Sequence, residues 1–260
     1  MTAAPLHVET YGAEAGQPIL AVHGVTGFGA RFERLAALLP ERRWLCPDLR
    51  GHGVSPATAP WRTEDHVEDL LGVLDAYGVE RVDVMGHSFG GHLALHLLGA
   101  APDRVGRVVL LDPASLLDPD SVEEGALDYA RDPGWATREE AEGEIATWFP
   151  NEGSQPDLQP EIDRNLVQDG EGRWRMRFSP AVVVTAYGEM CRPLPAMPER
   201  EVLLVEADPE LTTVNDALRR ALQDAFGDRL RREVVPGATH VVFRTALDGT
   251  AQAVGPFLAG

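Results

Sequence analysis

Arg81-Val82-Asp83-Val84-Met85-Gly86-His87-Ser88-Phe89-Gly90-Gly91 decides how the rest of the chain is read. Val82 to Met85 is a short apolar-alternating run that predicts a strand, and His92 to Ala100 is an apolar, helix-like stretch. Between them stands Gly-x-Ser-x-Gly, built from Gly86, Ser88 and Gly90. A strand that turns sharply into a helix forces the central serine into strained backbone, and small residues two before and two after it keep the flanking segments from clashing. The strain lifts the Ser88 hydroxyl clear of the sheet edge. The unpaired N–H groups of the following helix point at the same spot and favour a developing negative charge there. Ser88 is therefore the candidate nucleophile.

Working outward, apolar runs recur at Ile19–Val22, Trp44–Cys46, Arg107–Asp112 and Glu201–Val205, and Leu230–Val235 reads as a last strand. Continuous apolar runs of this kind suit strands buried on both faces. Leu6–Tyr11 alternates, and the Gly-containing run to Gly16 reads as a hairpin turn. Helical spacing covers Arg31–Leu39 (ended by Pro40), Thr63–Tyr77 with Thr63 as N-cap, and Val214–Phe226. Strands alternating with helices predict an α/β fold with a mainly parallel sheet, whose functional groups gather at the C-terminal strand ends. From Pro113 to about Met190 the rhythm changes to acidic, helix-like stretches with scattered aromatics: Trp135, Trp148, Phe149, Trp174, Phe178 and Tyr187. We read 113–190 as a helical lid inserted in a core made of 1–112 and 191–260. Its aromatics either line a substrate cavity or pack the lid onto the core. Asn151–Pro160, polar and proline-containing, reads as a loop within it.

Gly237-Ala238-Thr239-His240 follows the last strand directly. A histidine in a small-residue loop at that point is where a general base meets Ser88, so His240 is the candidate base. His87, His92 and His96 read as packing or surface residues. Asp48, Arg50 and His52, in Asp48-Leu49-Arg50-Gly51-His52-Gly53, read as a structural loop in which Asp48 and Arg50 tie turns together.

Composition narrows the function classes. The hydrophobic share is 44% and the charged share 25%, both near globular averages, so the chain is expected to fold throughout. Its 23 basic and 41 acidic side chains give a formal charge of −18, which argues against nucleic acid and anionic membranes as partners. Two cysteines, Cys46 and Cys191, form neither a disulfide framework nor a metal-ligand spacing. Met1–Tyr11 lacks the basic and apolar regions of a signal peptide, and no apolar run is long enough to span a membrane. The expectation is a cytoplasmic monomer or homodimer that acts on a small molecule and needs no cofactor or metal.

These pieces together resemble the α/β-hydrolase family. The resemblance rests on His23-Gly24, Asp48-Leu49-Arg50-Gly51-His52-Gly53, Gly86-His87-Ser88-Phe89-Gly90-Gly91 and Gly237-Ala238-Thr239-His240, and covers the chain apart from the lid. It implies a doubly wound, mostly parallel sheet of about eight strands and a triad in the order Ser, acid, His. It further implies an oxyanion hole from the backbone N–H groups of Val25 and Phe89. The acid stays open. Most members carry Gly-x-x-Asp after the penultimate strand, where this chain has Ala207-Asp208-Pro209-Glu210, so Glu210 and Asp208 are both candidates. Some members place the acid after the strand that follows the nucleophile helix, and Asp112 stands there. The implied reaction is hydrolysis of esters or lactones through an acyl-enzyme on Ser88. The alternatives are C–C bond hydrolysis, a cofactor-free lyase, perhydrolase chemistry, or a non-catalytic small-ligand binder.

Overall fold

The computed structural model describes residues 4–131, 134–147 and 159–260. Strand β1 is Val8–Gly12, β2 Pro18–Val22, β3 Arg43–Pro47, β4 Val82–His87 and β5 Val105–Leu111. In β2 the side chains alternate between two separate cores: Leu20 and Val22 face one, Ile19 and Ala21 the other, and all four are fully buried. The same split runs through β3, where Leu45 opposes Trp44 and Cys46. Period-two alternation with both faces apolar leaves these strands no stable place but the middle of a layered domain.

Helices cover the two faces. Helix α1 (Glu33–Leu38) and the C-terminal α10 (Leu247–Ala259) lie on the Ile19 side; α2 (Thr63–Ala76) and α3 (Phe89–Ala100) lie on the Leu20 side. Between β5 and the next sheet strand come α4 (Pro119–Arg131), α5 (Arg138–Thr147), α6 (Gln159–Asn165), a small hairpin of β6 (Leu166–Gln168) and β7 (Trp174–Met176), and α7 (Pro180–Met190). The core resumes with β8 (Val202–Glu206), α8 (Asp216–Phe226), β9 (Leu230–Val234) and the one-turn α9 (Val242–Thr245).

Among the described residues the main sheet has seven strands in the order β1-β3-β2-β4-β5-β8-β9, of which only β1 runs antiparallel. The expected class is present with seven strands in place of about eight. Strand β1 also pairs with β3 and not with its sequence neighbour β2, so the run to Gly16 is no hairpin. The reason is topological: β2 is flanked on both sides by parallel partners, β3 and β4, and offers β1 no edge. A second correction concerns α2. Its N-cap is Arg62, whose N–H donates to Asp65 Oδ2 at 3.0 Å. Thr63 sits one position later, buried, with its hydroxyl 3.1 Å from His92 Nε2.

The segment between β5 and β8 holds a satellite core of Ala141, Ile145, Ile162, Leu166 and Met176, against which Trp135, Trp174 and Phe178 pack. Tyr187 lies against Tyr129 at 6.1 Å between ring centroids. Helix α7 belongs to the main core through Ala186 and Met190, whereas α4 has no buried residue and rests on α7. Trp148, Phe149 and residues 151–158 of the expected Asn151–Pro160 loop lie outside the described residues; Gln159 and Pro160 open α6.

Histidines sit unusually deep in this fold. His23, His66 and His92 are fully buried. His66, on α2, presents its ring to the Phe89 edge at 5.4 Å, and among the described residues neither ring nitrogen has a hydrogen-bond partner. Burial pushes its pKa down to about 3. The unfolded chain takes up the proton near pH 6.5, well before the folded one, so the stability His66 contributes above pH 6.5 is lost as pH falls toward 3. At pH 5 this one residue costs about 2 kcal/mol. Denaturant unfolding from pH 7.5 to 5 is expected to show falling stability, and His66→Leu to flatten that dependence. An unchanged slope in His66→Leu contradicts this assignment.

Candidate active site

The sheet's strand order reverses at β2. From β2 the chain crosses outward to β3, then returns to the other side and proceeds β4, β5, β8, β9. The loops leaving the C-terminal ends of β2 and β4 therefore diverge, and a crevice opens between them. Ser88 stands there, at the N-cap of α3 with φ 53° and ψ −119°. Its N–H donates to Leu111 O at 3.2 Å, and its carbonyl accepts from Gly91 and Ala114, so the strained residue is held on every side by backbone. The glycines around it are sterically required: a Cβ on Gly86 would lie 2.2 Å from Gly90 O, and one on Gly90 would lie 2.0 Å from Val22 O. Gly24, at the end of β2, approaches so closely that a Cβ there would meet Ser88 Cβ at 2.9 Å.

His240 Nδ1–H donates to Asp112 Oδ2 at 2.7 Å. Asp112 follows β5 at φ 41°, and its side chain is completely buried. Its carboxylate receives five donors: Oδ1 from Ala207 N–H and the Thr212 hydroxyl, Oδ2 from Thr213 N–H, the Thr213 hydroxyl and His240. Burial raises its pKa, but the bond and charge of His240 together with the Ala207 and Thr212 bonds outweigh burial and hold the group below the ordinary carboxylate value. Of the three candidate acids, Asp112 alone contacts His240. Glu210 is exposed, and Asp208 instead joins two loops, accepting Gly237 N–H at 3.3 Å while its own N–H donates to Ala238 O at 3.0 Å.

Ser88 and His240 meet through His87. His87 Nε2–H donates to His240 O at 3.0 Å, and the two rings lie 4.8 Å apart. Burial first, and the proximity of His240 second, push the His87 pKa well below its usual value, so this ring is a neutral anchor. The His240 ring is about one-third exposed, and among the described residues no hydrogen bond joins it to Ser88 Oγ. In ligand-free enzymes such contacts are commonly long and tighten on substrate binding. Behind His240, Phe243 stacks on Phe32 at 4.7 Å and fixes the loop to the core.

Val25 and Phe89 follow the C-terminal ends of the neighbouring parallel strands β2 and β4, Phe89 directly after Ser88. Phe89 begins α3 and is fully buried. Val25 sits in a turn closed by Gly27 N–H to Gly24 O at 2.9 Å. His23 braces that turn: Nδ1–H donates to Gly24 O at 2.8 Å while Nε2 accepts Leu49 N–H at 3.0 Å, which sets its tautomer. Asp48 and Arg50 are structural. Asp48 accepts Gly29 N–H at 2.7 Å, and the Arg50 guanidinium grips buried Asp69 with two bonds. His92 bonds Ser115 Oγ at 2.8 Å, and His96 lies partly buried beside it; neither approaches His240 through any contact. Among the described residues no group of three or more His, Cys, Asp or Glu is arranged to hold a metal ion, and no helix is long and apolar enough to cross a membrane.

Sequence reasoning missed Thr212 and Thr213, and it read His87 as a packing or surface residue without its bond to the His240 loop. The two threonines stand just past Asp208 and Glu210, where the resemblance directed attention to carboxylates, and nothing in their own pattern marks them.

A model of the alpha/beta hydrolase family matches residues 19–253. The chain is 38% identical over 224 residues to the lipase LipV of Mycobacterium tuberculosis, covering 85% of this chain and 86% of that one. It is 35% identical over 123 residues to a 2-hydroxymuconate semialdehyde hydrolase of a Pseudomonas strain, covering 45% of this chain and 44% of that one. In fold it is similar to an E-2-(acetamidomethylene)succinate hydrolase, with a TM-score of 0.84 at 23% identity over 98% of this chain and 95% of that one.

The geometry gives a direct test of the acid. Asp112→Asn is expected to slow labelling of Ser88 by a fluorophosphonate by roughly three to four orders of magnitude, because the ring then loses the carboxylate that selects its tautomer. Glu210→Gln and Asp208→Asn are expected to stay within about threefold of wild type. A large loss in Glu210→Gln with Asp112→Asn intact contradicts the assignment.

Proposed function

The chain belongs to the alpha/beta hydrolase family, and from that premise we propose that it is a serine hydrolase cleaving carboxylic esters or lactones of small, largely apolar substrates. The observation that carries the reading is the bond from His240 Nδ1–H to the buried Asp112 carboxylate, in a loop tied to the strained turn of Ser88. With the proton held on Nδ1, the neutral ring keeps its lone pair on Nε2, the atom that accepts the Ser88 proton. Similarity to a lipase along most of the chain supports the choice of ester bonds.

Catalysis runs in two halves. Ser88 Oγ attacks the carbonyl carbon as its proton passes to His240 Nε2, and the carbonyl oxygen becomes an oxyanion. The N–H groups of Val25 and Phe89 receive it, each worth about 3 kcal/mol in the transition state. The tetrahedral adduct collapses: the C–O bond to the alcohol breaks, His240 returns its proton to the departing oxygen, and an acyl-Ser88 ester remains. Water then attacks that ester with His240 again as base, releasing the acid and restoring the Ser88 hydroxyl. Asp112 stabilises the imidazolium in both halves without taking its proton. Residues 113–190, from the end of β5 through α7, act in this reading as a lid over the strand ends.

A second reading keeps the same triad and cleaves a carbon–carbon bond. It is favoured by the match to 2-hydroxymuconate semialdehyde hydrolase, which spans less than half of the chain.

Short-chain nitrophenyl esters separate these outcomes. Wild type is expected to hydrolyse the acetate and butyrate esters, and Ser88→Ala to lose roughly five to six orders of magnitude in kcat while keeping its circular dichroism spectrum. Undiminished activity in Ser88→Ala sinks the proposal; an inactive wild type on esters and lactones transfers support to the second reading.

A further inference from the structure

The Asp48–Gly53 loop is spent on turn-tying except for one side chain. His52 is 1% exposed, and its ring reaches out of the loop to the turn after β2, where Nε2 lies 2.6 Å from Val25 O. We propose that His52 is a positioning residue for the oxyanion turn: its Nε2–H pins the Val25 carbonyl and so holds the Val25 Cα, the far end of the peptide unit that carries the Val25 N–H. The proposal rests on the oxyanion role assigned to Val25 above.

The argument is one of degrees of freedom. The Val25 N–H lies in the peptide plane it shares with Gly24 O, so its direction is set by the tilt of that plane and by where the plane's far end, the Val25 Cα, is held. At Val25 the preceding plane is held by its carbonyl, Gly24 O, which accepts from His23 Nδ1–H and Gly27 N–H. The following plane is held by its carbonyl, Val25 O, which accepts from His52. With both planes pinned by imidazoles, φ and ψ of Val25 are set before substrate arrives. This is the preorganisation that makes an oxyanion donor effective. Without His52 the second plane is free to rotate within the turn.

His52 is itself immobilised. Its N–H donates to Leu49 O at 2.9 Å, and its neighbours bond to the segment after β7, Gly53 N–H to Arg177 O and Ser179 N–H to Gly51 O, both at 2.7 Å. Its ring stands edge-on to His23 with centroids 5.0 Å apart. The one competitor for its proton is Arg50 O, 3.2 Å from Nδ1. Both partners are carbonyls, and burial disfavours a doubly protonated ring, so the single proton goes to the shorter contact.

Three measurements test the proposal together. A long-range ¹H–¹⁵N spectrum of wild type is expected to show His52 neutral with its proton on Nε2; an Nδ1–H tautomer overturns the proposal without any variant. His52→Phe keeps the ring and loses the donor. It is expected to lower kcat, counted per serine titrated by a fluorophosphonate, by ten- to a hundredfold with little change in KM, and to weaken an alkyl boronate in parallel. His52→Gln, whose amide N–H reaches to the same position, is expected to recover most of the loss. A kcat unchanged in His52→Phe, or His52→Gln no better than His52→Phe, overturns the proposal. A wild type that hydrolyses no ester removes the underlying reading instead, an outcome distinct from both.

Discussion

A single buried carboxylate organises the C-terminal side of the sheet. Asp112 has no solvent exposure, and an isolated ionised carboxyl in such a place is prohibitively unfavourable. Five donors from two loop segments offset that cost, and by converging on two oxygens they also fix those segments relative to one another. The loop after β8 is held by Ala207, Thr212 and Thr213, and the loop after β9 by His240. The positive φ of Asp112 places its side chain where both reach it. Removing the carboxylate therefore disconnects more than one histidine.

Around this centre the protein uses neutral imidazoles as fixed donors. His23 and His87 each bond a backbone carbonyl, His23 on the turn after β2 and His87 on the loop of His240. Burial keeps both far below their usual pKa, so their hydrogen bonds do not change character across the physiological range. Desolvation keeps His23 and His87 neutral, while hydrogen bonds hold the Asp112 carboxyl below its ordinary value. Ser88 and Asp112 are two of the three non-glycine residues with positive φ among those described, Leu116 being the third.

Ser88 and His240 stand out in the sequence because each sits in a local pattern of small residues directly after a strand. Gly86 and Gly90 cannot carry a Cβ where they lie, and the loop of His240 joins the last sheet strand to a buried one-turn helix. Which carboxylate bonds His240 was not legible. Choosing among Asp112, Asp208 and Glu210 requires knowing that the ends of β5 and β8 lie side by side in register, Leu111 beside Val205, and that the next residue of β5 then points at the loop after β8. That is a tertiary fact. The misread β1 has the same origin: alternation identifies a strand but not its partner, and β2 had no edge to give. Thr63 looked like a cap from its hydroxyl and the acidic turn after it, yet tertiary contact with His92 claimed that hydroxyl and moved the cap one residue back.

The most direct measurement is peptide mapping by mass spectrometry after brief acylation with a nitrophenyl ester and acid quench. The account predicts one acyl adduct, on the peptide containing Ser88, which does not form in His240→Ala. An adduct on another residue, or adduct formation at Ser88 that survives His240→Ala at the same rate, would contradict it.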